Sequence, residues 1–360
     1  MKNLRLNILI LIAATIFAAL ALTVEKAAAQ NKPSAKPAAA AKKPANEIST
    51  TKKAAPKSSM PKAQETTQIV VAATGVRIRR EPDFAAETIQ IAQIGTVFPL
   101  LEQNADWCKI QLGKSGDEAS GWIAKKLTQT FTNSRRAEIY RAITDKYLKQ
   151  ISPAFADLAQ LTDFLATAQN EFKEANNQVD FAFRRLIALK TALDRIPFER
   201  QAENPYKEFL EKNADQVVYS EPSGKWLVRS ELFWALREKY KNLPIAEEIT
   251  WAAAQNPIPG ECEGYINCYL YLLRATEGEY LNFYPNGKYS REALKKLTDF
   301  LEPIAADASQ KAVYSSATDT SDRADFNKYL TELRAIVSKS PHLEKSKTLA
   351  QIKRIAEAHR

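Results

Sequence analysis

The chain has 360 residues, enough for about two folded units plus unstructured sequence, and its 45% hydrophobic and 26% charged content suits a globular protein. Its formal charge of +9 is concentrated at one end: residues 1–29 carry +2, residues 30–65 carry +6 and residues 66–360 only +1. So nearly neutral a body has no basic footprint for tracking phosphates, and no nucleic acid is expected among its partners.

At the start of the chain, Lys2 and Arg5 precede an apolar run from Ile8 to Val24, and Ala27, Ala28 and Ala29 supply the small residues a signal peptidase requires. Residues 1–29 are therefore expected to be an export signal. The apolar run lies near the lower limit for spanning hydrocarbon, so an uncleaved membrane anchor is the alternative, and this segment is the only expected membrane contact. Residues 30–65 hold eight Lys among Ala, Pro, Ser and Thr, with no aromatic residue. That composition buries too little apolar surface to offset chain ordering, and a disordered linker is expected. It suits either a spacer that carries the folded part through a polyanionic wall or a solubilising tail.

Residues 66–130 alternate with a period near two, punctuated by Gly and Pro, as short strands in a small all-β unit do. Four segments then follow in order: Gly75-Val76-Arg77-Ile78-Arg79-Arg80-Glu81-Pro82, Ile91 to Leu101 around Gly95, Trp107-Cys108-Lys109-Ile110, and Gly121-Trp122-Ile123-Ala124. Together they resemble the bacterial SH3 domain. That resemblance implies a small β-barrel that contacts peptides or cell-wall components. Strand alternation puts Cys108, Ile110 and Leu112 on one face, assigned to the core, and Trp107 and Lys109 on the other. Trp107 and Trp122 are then candidate ligand-binding residues on the outer surface, or else caps on the barrel ends.

From residue 131 to 360 the spacing becomes helical. The expected fold class is thus multidomain: a small all-β SH3-like barrel followed by a mainly α-helical bundle, with a disordered N-terminal segment. Ser152-Pro153, Asn204-Pro205 and Ser340-Pro341 each put a capping side chain before a Pro suited to the first helical position. Residues 153–196 read as one long helix or as two broken near Asn176-Asn177. Tyr219 to Leu227 reads as a small hairpin. Gly278 to Leu294 resembles a tetratricopeptide-type helical hairpin, with Tyr284-Pro285 closing one helix and Ala293-Leu294 inside the next. No second copy follows at that family's period, so a single hairpin in an irregular bundle is expected.

The segment from Pro257 to Cys268 is dense in special residues. In an oxidising compartment Cys262 and Cys268 suit a disulfide; free thiols or a metal or redox site are the alternatives, though no His accompanies them. Glu261 and Glu263 flank the first thiol and serve either as paired carboxylates or as solvated, helix-capping residues. Trp226, Phe233, Trp234, Trp251, Tyr265, Tyr269 and Tyr271 form an aromatic-rich zone, as core or as a ligand box. The two His, His342 and His359, match neither a Cys-His nor a zinc-site spacing.

No catalytic residue, metal or cofactor is therefore expected. The expected function is that of a non-enzymatic cell-envelope binding or scaffold protein, periplasmic or secreted. Its SH3-like module would contact a cell-wall peptide or glycan and its helical domain an envelope protein. A peptidoglycan-modifying enzyme and a periplasmic sensor on an uncleaved anchor are the alternatives.

Overall fold

The computed structural model describes residues 67–359 apart from 114–118, 260, 312 and 316–319. The expected export signal and linker lie outside the described residues.

Seven antiparallel strands open the fold: β1 (Gln68–Val71), β2 (Val76–Arg79), β3 (Thr88–Ala92), β4 (Val97–Gln103), β5 (Trp107–Gln111), β6 (Ser120–Ala124) and β7 (Thr128–Phe131), in the order β3-β2-β6-β5-β4-β1-β7. β4 changes partner halfway along, pairing Pro99 with Gln68 of β1 and Leu100 with Ile110 of β5. The sheet is thereby folded over, and Ile69 and Val71 share one core with Val76, Ile78, Cys108, Ile110 and Ile123. The expected barrel is corrected in one respect: β3 and β7 end the order and do not pair, so the sheet is not closed. A register shift between Ile78 and Arg79 turns β3 away, and Phe131 of β7 is committed to packing on helices instead.

The helical part comprises α1 (Arg136–Leu148), α2 (Phe155–Ala168), α3 (Ala175–Leu193), α4 (Tyr206–Lys212), a hairpin of β8 (Val217–Ser220) and β9 (Lys225–Val228), then α5 (Ser230–Lys239), α6 (Ala246–Ala254), α7 (Ile266–Ala275), α8 (Glu277–Phe283), α9 (Ser290–Asp307), α10 (Thr320–Ser338) and α11 (Lys345–Ala358). The small hairpin stands where the sequence places it. The break in residues 153–196 falls earlier than Asn176-Asn177, at residues 169–174. There Phe172 stacks on Phe181 at 4.9 Å and its carbonyl accepts a bond from Gln178, tying the connection to α3. The three Pro residues lie in the turns that precede α2, α4 and α11 rather than at their first positions, and none of these helices has a side-chain cap.

β1 joins the two parts. Alternation turns Ile69 and Val71 to the sheet core and Val70 to the other side, where it packs with Ala72, Ile94 and Phe131 against Ile139, Tyr140, Ile143 and Tyr147 of α1 and Phe164 of α2. The main chain beyond β1 is also tied down. Thr74 N–H donates to Tyr147 Oη at 3.0 Å, Gly75 N–H to Gln160 Oε1 at 3.1 Å, and the Thr74 hydroxyl to Asp157. The sheet and the helices following it therefore share a core, and the described residues form one compact unit.

Three helix pairs, α5–α6, α8–α9 and α10–α11, are each joined by a turn of the same length, at residues 240–245, 284–289 and 339–344. The first two turns close with equivalent bonds, Leu243 N–H to Tyr240 O and Ala246 N–H to Leu243 O in one, Gly287 N–H to Tyr284 O and Ser290 N–H to Gly287 O in the other; the third keeps the second bond, Lys345 N–H to His342 O. The start of the second helix in each of the first two pairs also touches the next turn. Glu247 Oε1 accepts the Lys288 N–H at 2.6 Å, and Ser290 Oγ bonds His342 Nε2 at 2.8 Å. Gly287 permits this approach, since a Cβ there would lie 2.2 Å from Glu247 Oε1. The single hairpin expected from the sequence is thus one of a stacked series. α6, α9 and α11 begin at residues 246, 290 and 345, an uneven spacing that hides the repeat from a fixed-period search.

Candidate functional site

A groove of about 850 Å³ opens between α4 and the β8–β9 hairpin. Its helical wall is made by Lys207, Leu210, Glu211 and Ala214, whose spacing of three and four residues places them on one side of a turn-and-a-half of helix and the chain just beyond it. Val217, Val218 and Tyr219 make the opposite wall. Trp226 closes one end, its ring 5.4 Å from Tyr219 and its Nε1–H donated to Gln201 Oε1 at 2.7 Å. The same indole borders a second hollow of about 250 Å³ that also touches Phe198, Lys225 and Asp194. The floor is apolar because Leu210 and Val217 belong to a core cluster with Val228 and Phe233. Polar groups stand at the rim: Lys207, Arg229 and Glu211 are exposed, and Glu211 lies 3.8 Å from Lys207. Such a concavity, apolar inside with a few polar groups at its edge, suits ligand binding.

The sequence-derived sites lie elsewhere. On β5, Cys108 and Ile110 are buried in the sheet core and Trp107 and Lys109 face the other way, as alternation requires. Trp107 is nevertheless only 6% exposed, because Phe84 lies over it with ring centroids 4.8 Å apart. The expected open indole at this position is corrected: the exposed ring is Phe84, at 61%, with Lys126 Nζ 5.5 Å from its centroid. Trp122 shares that face, half-buried, opposite Arg79 and Lys109, whose Nζ sits 5.6 Å from the indole. Neither Trp107 nor Trp122 belongs to the α4–β8 groove.

Cys262 and Cys268 form a disulfide with Cα atoms 5.4 Å apart. It pins the loop to the start of α7, and the loop is stitched to the strand-like segment ahead of α10 by Ile266 N–H to Ser315 O and Ser315 N–H to Gly264 O. Glu261 and Glu263 are exposed on this loop on either side of the buried Cys262. The aromatic zone does not assemble. Phe233, Trp226 and Trp234 pack in one core cluster, Trp251 and Tyr269 against another, and Tyr271 is exposed. Of these rings Trp226 alone borders the groove.

The groove residues on α4 and β8 escape sequence reading because Lys207, Glu211 and Ala214 look like an ordinary solvated helix face. Only the hairpin and Trp226 gave a signal. Comparison of the chain with protein-family models, with curated proteins and with solved structures finds no match in any of the three.

Proposed function

We propose that this is an exported, non-enzymatic binding or scaffold protein of the cell envelope. Its β unit is an SH3-type module, on the resemblance carried by the segments that form β2, β4, β5 and β6. Its helix pairs are tetratricopeptide-like hairpins, and the protein-binding groove lies ahead of them in the chain, between α4 and the β8–β9 hairpin. The observation that carries the reading is the α4–β8 groove: an apolar floor, one indole fixed by Gln201, and exposed charged groups at the rim are the makings of a docking site. The Cys262–Cys268 disulfide supports export, because such bonds persist in oxidising compartments. The eight Lys of residues 30–65 support passage along a polyanionic wall.

The test is a photo-crosslinking residue placed at Ala214 in the native, full-length gene product, with the same residue at the fully exposed Ile151 as control. A specific envelope-protein adduct from position 214 alone, on a product whose N-terminus begins near Gln30, is the expected result. A full-length cytosolic product, or identical adducts from both positions, sinks the proposal.

A further inference from the structure

The groove is bounded by three consecutive residues of one strand, Val217, Val218 and Tyr219. Successive side chains point to opposite faces, so a hollow that touches all three reaches the strand's outer edge, and Trp226, paired with Tyr219, carries it on over that face of the hairpin. β8 belongs to a two-stranded sheet and, among the described residues, has only β9 as a strand neighbour. The pairing parity says which groups the other edge presents. Arg229 N–H donates to Gln216 O at 2.9 Å, so hydrogen-bonded pairs alternate from there, and Val218 with Leu227 and Ser220 with Lys225 exchange bonds. The N–H and C=O groups of Val217 and Tyr219 consequently point away from β9, on the groove side. An unpaired strand edge set beside a helix is a receptor for another extended chain, with main-chain bonds supplying affinity and alternate side chains supplying specificity.

Charge selects the occupant. Lys207 and Arg229 are exposed on the groove, Arg229 makes no ion pair among the described residues, and the one lining carboxylate, Glu211, is beside Lys207. The excess is positive. The chain's own residues 30–65, with eight Lys, carry the same sign, and their Pro residues remove strand donors. Pairing β8 with β8 of a second copy would set two such basic grooves against each other. Taking the groove as the binding site proposed above, the geometry points to an extended acidic segment of a partner protein, added to the outer edge of β8 with its carboxylates at Lys207 and Arg229.

The experiment measures anisotropy of short fluorescein-labelled peptides in which Val alternates with Glu, Thr or Lys, titrated with the whole protein. The Glu peptide is expected to bind at least about ten-fold tighter than the Lys peptide, and Lys207→Glu with Arg229→Glu is expected to reverse that order. N-methylation of alternate amides tests the bonding mode. One register of methyl groups is expected to weaken the Glu peptide about ten-fold and the other to leave it unchanged, because only alternate amides face β8. Equal affinities for the three peptides, no binding by any of them, or indifference to methylation overturns the proposal. So does displacement of the Glu peptide by a chitin oligosaccharide, which would make the groove a glycan site, or a dimer that dissociates in the double variant. Loss of peptide binding with the Ala214 adduct retained refutes strand addition alone, whereas peptide binding by a cytosolic product refutes the envelope reading alone.

Discussion

Gly95 lies directly against the ring of Phe164: a Cβ on Gly95 would fall 2.2 Å from two of the ring's carbons, and the backbone there has φ +84°. Phe164 is held from behind by an edge-on contact with Tyr140 at 4.9 Å. The turn between β3 and β4 is thus seated on α2, so the sheet and the helices are expected to unfold together. Gly95→Ala is expected to lower stability by about 2–4 kcal/mol, combining left-handed strain with overpacking. Gly75→Ala, also at positive φ but with open space around it, is expected to cost only about 1 kcal/mol. Urea unfolding of the two variants checks this, and equal costs would mean that Phe164 yields freely.

Tyr280 is the link between the first two helix-pair turns. Its hydroxyl donates to Glu247 Oε1 at 2.7 Å and accepts the Tyr289 N–H at 2.9 Å, while burial, with the nearby Glu247, pushes its ionisation well above the ordinary phenol range. Tyr280→Phe keeps the ring packed on Trp251 but strands a backbone donor and weakens the hold on Glu247. A loss of about 1–3 kcal/mol is expected. Because the two groups act as a pair, combining Tyr280→Phe with Glu247→Gln should cost less than the separate costs added together. Additive losses in denaturant titrations would show that the turns are not coupled through this bond.

Local chemistry was legible where one residue type decides it. Alternation assigned Cys108 and Ile110 to the core, and the turn residues around Gly224 marked the β8–β9 hairpin. What failed depends on contacts between distant residues. Nothing near Trp107 announces that Phe84 will cover it, and the Pro residues at 153, 205 and 341 mark turns but not where each helix begins. The stacked hairpins were missed because their turns, not their whole sequences, are alike, and the intervals between them differ. The groove needed Leu210 of one element and Val217 of another, neither conspicuous by itself.

The Cys262–Cys268 bond closes a very short loop, so its stabilisation through the unfolded chain is expected to be modest, about 2 kcal/mol. Cys262→Ser with Cys268→Ser should lower the urea midpoint without changing the slope, and reductant should have the same effect on the wild type. Intact-mass measurement of the unreduced native protein should reveal alkylation only at Cys108, and only after unfolding, since that thiol is buried. Alkylation of Cys262 in the folded native product would contradict both the bond and the export argument built on it.

His359 sets the acid sensitivity of the C-terminal hairpin. It is 5% exposed, edge-on to Phe326 at 6.1 Å, and neither ring nitrogen has a hydrogen-bond partner among the described residues. Burial, assisted by the charge of Lys311 and opposed by Asp307, depresses its pKa. The unfolded chain therefore takes up this proton at a higher pH than the folded one. The stabilisation is complete above the ordinary histidine value of about 6.5 and is lost as the pH falls below it toward the folded value. Glu248 and Asp145 act in a lower window. Their burial is outweighed by hydrogen bonds to Lys288 and Tyr289 and to Lys149 and Arg184, which hold them below the usual carboxylate range, so their contribution fades only on further acidification. Between about pH 6.5 and 5 the wild type should lose stability faster than His359→Phe, whose ring can occupy the same apolar site beside Phe326. Parallel pH profiles for the two proteins would show that His359 stays neutral in the unfolded chain as well, or that it protonates in place without cost.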